Sequence, residues 1–380
     1  MNQIELALLQ TIQKSLWNAD IVFPADTDWE EVLKEAEKQT VLGIVINVAP
    51  ADVQKQWRRV ADAGLVHFIR ILNGQKQLYM LLKENGIPMV ILKGTAAAIN
   101  YQSPTQRSMG DIDFLVPQEY FDHTKEVLAQ NGYTIEEDEK YQRHIEVTKD
   151  QITFEMHRYF SDEDMDVERY IQEGVRQSEI KQIYGVSFPM LPKLANGMVL
   201  LGHIVHHLRS GLGLRQIIDW MMFVDKELDD AFWTESFRAA ASETGLETVA
   251  ITATRMCQIY LGLSDRIHWC AEADVELCAD LMNSLLTSGN FGIKNEQGVL
   301  VEKTITNLKK EGFRYLQKAG EYNWKAYQEH KWLKPFAWIY QIGRYLKQGL
   351  QTKRTKEQII KDYERGNQRV DLLKKLKIGQ

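Results

Sequence analysis

At 380 residues the chain is too long for one small core and fits two to three structural units. Its 44% apolar and 26% charged residues exclude a disordered chain, and no apolar run approaches the ~20 residues that a membrane-spanning helix needs. The net charge of −6 is unevenly spread: residues 331–380 hold 13 Lys/Arg against 4 Asp/Glu, a local +9 set against −15 over the first 330. That basic tail reads either as a solvated helical face or as a contact for nucleic acid or another anionic partner. Cys257, Cys270 and Cys278 lack the spacing of a zinc site or a disulfide framework. The first 17 residues lack a basic segment followed by an apolar one, so no secretory signal is read and a cytoplasmic protein is expected.

In chain order, residues 1–85 read as helical. Glu5, Leu6, Leu8, Leu9 and Ile12 begin an amphipathic stripe, and Asp26-Thr27-Asp28 offers N-caps for a second helix. A long helix from Ala51 carries Val60, Leu65, Phe68, Leu72, Leu78 and Leu81 and stops at Asn85-Gly86. The period then changes. Pro88–Leu92 reads as a buried strand, Ala96–Tyr101 as a helix, Asp111–Val116 as a second strand ended by Pro117, and Glu119–Gln130 as a helix. Further strands are expected at Tyr141–Val147 and Ile152–Tyr159, around a turn at Thr148-Lys149-Asp150. After Pro192 the helical period returns, with Met198, Leu201, Val205 and Leu208 on one face and Ile217, Trp220, Met221 and Val224 continuing it. The expected fold is α+β: a helical region (1–85), a small mixed-sheet core (86–192) and a helical domain with the basic tail (193–380).

The chemistry concentrates on the second strand. Residues two apart in a strand share a face, so Asp111 and Asp113 project together while Ile112, Phe114 and Val116 face away. Two carboxylates that close repel unless a cation lies between them, and hard oxygen ligands suit Mg²⁺, with Mn²⁺ an alternative. The other reading is a pair of exposed acids on an edge strand, although strands are depleted in Asp. Gly94-Thr95, between strand and helix, would let backbone and helix N-terminus meet phosphate. A third acid, needed for two-metal phosphoryl transfer, is available in Glu155, which shares a face with His157. The other reading of Glu155 is a cross-strand ion-pair partner for a Lys or Arg, and for His157 orienting, nucleotide-contacting and structural roles stand level.

Leu92-Lys93-Gly94-Thr95, then Arg107-x-Met109-Gly110-Asp111-Ile112-Asp113, then Glu155-x-His157 resemble the nucleotidyltransferase superfamily with its polymerase-beta-like fold. More narrowly they resemble the bacterial family-five putative nucleotidyltransferases, to whose helical region His206-His207, Arg215 and Asp219 are similar. Thr95 stands where serine is common. The resemblance implies Mg²⁺ held by Asp111, Asp113 and Glu155, and transfer of a nucleoside monophosphate from an NTP to an acceptor hydroxyl or phosphate.

The acceptor is expected to be a small molecule rather than nucleic acid. A protein, peptide or RNA acceptor, or a nucleotide-binding scaffold without turnover, are the alternatives. Gly94 and Thr95 would contact the β- and γ-phosphates, the latter through its hydroxyl. Lys93 and Arg107 would neutralise the leaving pyrophosphate, Lys93 being equally readable as an ion-pair partner. His203 and His207, four apart, have the spacing of a metal pair but lack further ligands, and are expected as core or hinge residues. Arg215 and Asp219, also four apart, are expected to form a local ion pair, with a reach of Arg215 to the nucleotide as the alternative.

Overall fold

The computed structural model describes residues 1–136, 143–160, 166–209, 211–289, 308, 312–351 and 356–378. Helices α1 (Gln3–Trp17), α2 (Trp29–Lys38) and α3 (Leu42–Val45) precede a long α4 (Ala51–Glu84). A seven-stranded mixed sheet follows. It is formed by β1 (Val90–Leu92), β2 (Ile112–Leu115), β3 (Thr134–Glu136), β4 (His144–Lys149), β5 (Ile152–His157), β6 (Glu179–Ile183) and β7 (Val186–Met190) in the order β3-β4-β5-β2-β1-β7-β6. Between strands run α5 (Gly94–Ala98), α6 (Phe121–Gln130) and α7 (Glu168–Arg176). After them α8 (Lys193–Leu208) and α9 (Leu214–Glu227) lead into further helices. The fold is α+β with helical flanks, as the periodicity predicts.

Local chemistry explains the elements. Asn2 and Glu5 form a capping box on α1. In the stripe Leu8, Leu9 and Ile12 are buried, whereas Leu6 is exposed; along α4 Phe68, Leu72 and Leu78 are buried but Val60 and Leu65 are exposed. The β4–β5 hairpin turns at Asp150-Gln151, both with positive φ, later than the sequence suggests. The start of the expected Tyr141–Val147 strand lies outside the described residues. The β6–β7 hairpin, absent from the sequence reading, turns the same way at Tyr184-Gly185, and β7 lies parallel beside β1.

The sheet divides two cores. Ile91, Ile112, Phe114, Phe154 and Met156 face Phe68, Leu72 and Leu78 of α4 and Val127 and Leu128 of α6. Val90, Leu92 and Leu115 face the other way, into a core that joins α1–α3 to α8, α9 and the helices beyond. Trp17 and Gln13 of α1 donate to the carbonyls of Leu261 and Tyr260 at 2.7 and 2.9 Å. The alternation in β2 therefore turns Asp113 towards the helical body, away from α4.

Candidate active site

Antiparallel pairing sets Asp113 beside Leu92, and parallel pairing sets it beside Glu155, with His157 two residues further along the same face. Asp113 is buried at the centre of the group. Its Oδ1 meets Lys93 Nζ at 2.6 Å and His157 Nε2 at 2.9 Å, and His157 Nε2 lies 3.4 Å from Glu155 Oε2. Lys93 reaches in from a φ of +50°, strained for a side-chain-bearing residue, in the turn that starts α5. Among the described residues Asp113, Glu155 and His157 each offer a ligand atom within 4.8 Å of the others.

The electrostatics are those of a crowded anionic site. Burial, together with Asp113 and Glu155, pushes the Asp111 carboxyl up to about 7. Burial also opposes ionisation of Asp113, but Lys93 and His157 outweigh it and hold that carboxyl well below the usual range. For His157 burial disfavours the imidazolium, and the hydrogen bonds to Asp113 and Glu155 raise its pKa nonetheless. Lys93 and His157 thus lie against Asp113, and Asp111 shares the cavity with Arg215. The oxygen donors of Asp111, Asp113 and Glu155 in one cavity fit a divalent cation.

The cavity has two walls. The sheet side presents Asp111, Asp113, Glu155 and His157, with Lys93 and Gly94 at the turn; the opposite side presents His203, His206 and His207 of α8 and Arg215 of α9. Arg107, Arg143, His144 and Phe160 also line it. The Nε2 atoms of His203 and His207 are 2.8 Å apart, so one ring donates and the other accepts. Burial holds His203 well below its ordinary pKa and, with His206 adjacent, takes His207 down to about 3. The histidines expected as core or hinge residues are cavity residues, buried neutral.

The neutral state of His207 sets a pH dependence. Its folded pKa lies below the ordinary 6.5, so between about 6.5 and about 3 the unfolded chain takes up a proton that the folded chain refuses. Stability is therefore expected to fall on acidification below pH 6.5, by up to about 1.4 kcal/mol per pH unit from this group. Urea unfolding between pH 7 and 4 should show a shallower loss for His207→Gln; an unchanged slope would count against a neutral buried imidazole.

Two expected contacts are replaced. The spacing of Arg215 and Asp219 predicts a local ion pair, but Asp219 is taken by Arg107, 112 residues away. Arg107 Nε and Nη2 meet the two carboxylate oxygens at 2.8 Å each, and the Tyr101 hydroxyl donates to Oδ1 at 2.8 Å. A planar fork meeting a carboxylate edge-on is the stronger pairing. Arg215 makes no carboxylate pair among the described residues; its Nη1 reaches the Ser108 carbonyl at 3.4 Å, and its Nε has no partner. Thr95 is fully buried and its hydroxyl donates to Gln75 Oε1 of α4 at 2.5 Å, so that hydroxyl does not open on the cavity. The cavity residues that sequence reasoning did not single out are Arg143, His144, Phe160 and Gly202; the register that sets His144 opposite His157 depends on the turn at Asp150-Gln151, which the sequence suggested earlier in the chain.

A family model described as an uncharacterised nucleotidyltransferase matches residues 25–262, which span the whole sheet and the histidine wall. No curated protein matches the chain. On that match, with the acids of β2 and β5 side by side beneath α8, the chain belongs to this family of nucleotidyltransferases.

Proposed function

We propose that the chain moves a nucleoside monophosphate from an NTP to a hydroxyl or phosphate of a small acceptor, at the cavity between the sheet and α8. The observation that carries this reading is the convergence of Asp111, Asp113 and Glu155 on one cavity, with a carboxyl pushed up to about 7 among them. Asp111, Asp113 and Glu155, which share the cavity, would hold Mg²⁺, and the imidazole of His157, grouped with Asp113 and Glu155, suits Mn²⁺ as well. Such a cation supplies charge neutralisation for the triphosphate and the leaving pyrophosphate.

The chain's own groups do the rest. Lys93, which already lies against Asp113, supplies an ammonium that can follow the negative charge as it moves to the β-phosphate. Arg215 is a cavity cation without a carboxylate partner among the described residues, which suits it as an anion anchor; Arg107, committed to Asp219, holds the loop before β2 in place. Glu155, whose pKa the His157 hydrogen bond lowers against the effect of burial, is ionised and able to take the acceptor proton. The small acceptor is favoured by a recess lined by charged groups and imidazoles with one carbocyclic ring, Phe160, rather than a run of stacking platforms.

The test is calorimetric titration of each NTP with and without Mg²⁺, for the wild type and Asp111→Asn/Asp113→Asn, with thermal melts to show both are folded. Mg²⁺-dependent binding that disappears in the variant is expected and names the donor. Absence of NTP binding to the wild type, or equal binding to the variant, overturns the reading.

A further inference from the structure

Beyond residue 262, outside the span shared with the family, lies a segment of unusual composition. Residues 312–351 contain 10 aromatic residues, against 10% for the whole chain, and 7 Lys/Arg against 2 Asp/Glu. Helix Phe313–Asn323 packs closely on helix Ala337–Gln351: a Cβ on Gly320 would lie 1.9 Å from the Ala337 carbonyl oxygen, so the close approach requires glycine.

Some aromatics meet one another and others are turned out, and Phe313, in contact with Trp338, and Tyr322 are exposed as well. Trp324 stacks on Tyr340 with centroids 5.1 Å apart and planes 6° apart, the Tyr315 and Tyr345 hydroxyls meet at 3.0 Å, and Lys331 lies over the Tyr327 ring. Those rings are occupied within the helix pair. Trp332, Phe336 and Ile339, spaced by four and then three residues, are turned out, and Trp332 is 70% exposed. Exposed Lys331 and Lys334 alternate with them, Lys334 Nζ lying 3.7 Å from Glu321 Oε2, and exposed Arg314, Lys318 and Lys325 lie on the preceding segment.

We propose that this face docks on an anionic lipid surface, with Trp332, Phe336 and Ile339 entering the headgroup boundary and Lys331 and Lys334 meeting lipid phosphates. Charge complementarity carries the choice of partner. A basic face on an otherwise acidic chain is attracted to an anionic plane, and interleaved apolar side chains add burial that charge alone does not give. Single-stranded nucleic acid would use ring faces for base stacking, whereas Trp324 and Tyr340 use theirs on each other and the exposed set includes an aliphatic residue. No helix among the described residues is long and apolar enough to cross a membrane, so the contact is with the surface. This inference is independent of the catalytic reading.

The experiment is co-sedimentation of the full chain with vesicles of phosphatidylglycerol and phosphatidylcholine in equal parts, and with phosphatidylcholine alone. Binding to the anionic vesicles is expected. Lys331→Ala/Lys334→Ala should weaken it about thirty-fold, at roughly five-fold per lysine. Trp332→Ser/Phe336→Ser, which alters only exposed side chains, should abolish it without changing the thermal melt. No binding to anionic vesicles, binding unaffected by the aromatic variant, or tighter binding of a single-stranded oligonucleotide that the same variant removes, would each overturn the proposal.

Discussion

Arg107→Met is expected to destabilise the protein by about 3–5 kcal/mol, the usual cost of removing one partner from a buried ion pair. Both ends are almost wholly enclosed, with side-chain exposures of 3% and 1%. Loss of the guanidinium leaves the Asp219 carboxylate, among the described residues, with only the Tyr101 hydroxyl to meet it. Burial, with Asp219 beside it, already pushes the Tyr101 phenol well above its ordinary pKa, so that hydroxyl stays protonated and cannot replace a cation. Urea unfolding would read the loss directly. The paired replacement Arg107→Met/Asp219→Leu should recover most of it, because an apolar pair of similar size avoids the desolvation penalty. A single-variant cost under about 1 kcal/mol would mean that water reaches the pair.

Arg215→Met is expected to do the opposite. Its guanidinium is largely enclosed, and burial, with Arg107 nearby, lowers its pKa. Removing an unpaired charge from such a position should leave the unfolding free energy unchanged or raise it. Nucleotide affinity should nevertheless fall about 10- to 100-fold, roughly 1.4–2.8 kcal/mol, because a charge-assisted contact to phosphate is lost. Stability and binding then move in different directions, which a purely structural arginine would not produce. Parallel calorimetry and urea unfolding of the variant would show it; a drop in stability with unchanged affinity would return Arg215 to the scaffold.

The carboxylate strand was legible because β alternation is a local rule: Asp113 against Ile112 and Phe114 can be sorted by face from the sequence alone. Glu155 was legible for the same reason, although the parallel register that sets it beside Asp113 was not. The four-residue rule for helices proposes Arg215 for Asp219 and cannot see a better-shaped partner 112 residues away. The histidine wall escaped for a related reason, since helical spacing gives the face on which His203 and His207 lie but not what that face meets. The Thr95 hydroxyl was directed to phosphate because the turn suggested it, whereas packing against α4 gives it to Gln75. The β6–β7 hairpin was readable from Ile180 to Met190, but Tyr-Gly is a less familiar turn signal than Asn-Gly.

The seating of α1 has a consequence for how the chain is made. Its side-chain bonds to Tyr260 and Leu261 span 247 and 244 residues. At about 5–20 residues per second, a ribosome needs on the order of 12–50 seconds to supply those partners. A free helix of 15 residues is marginal in water. Leu8, Leu9, Ile12 and Leu16, all buried in the finished protein, therefore emerge well before the last of the partners that cover them. The nascent chain is expected to need shielding over α1 during that interval, and deletion of the residues after 255 should leave α1 more open to protease.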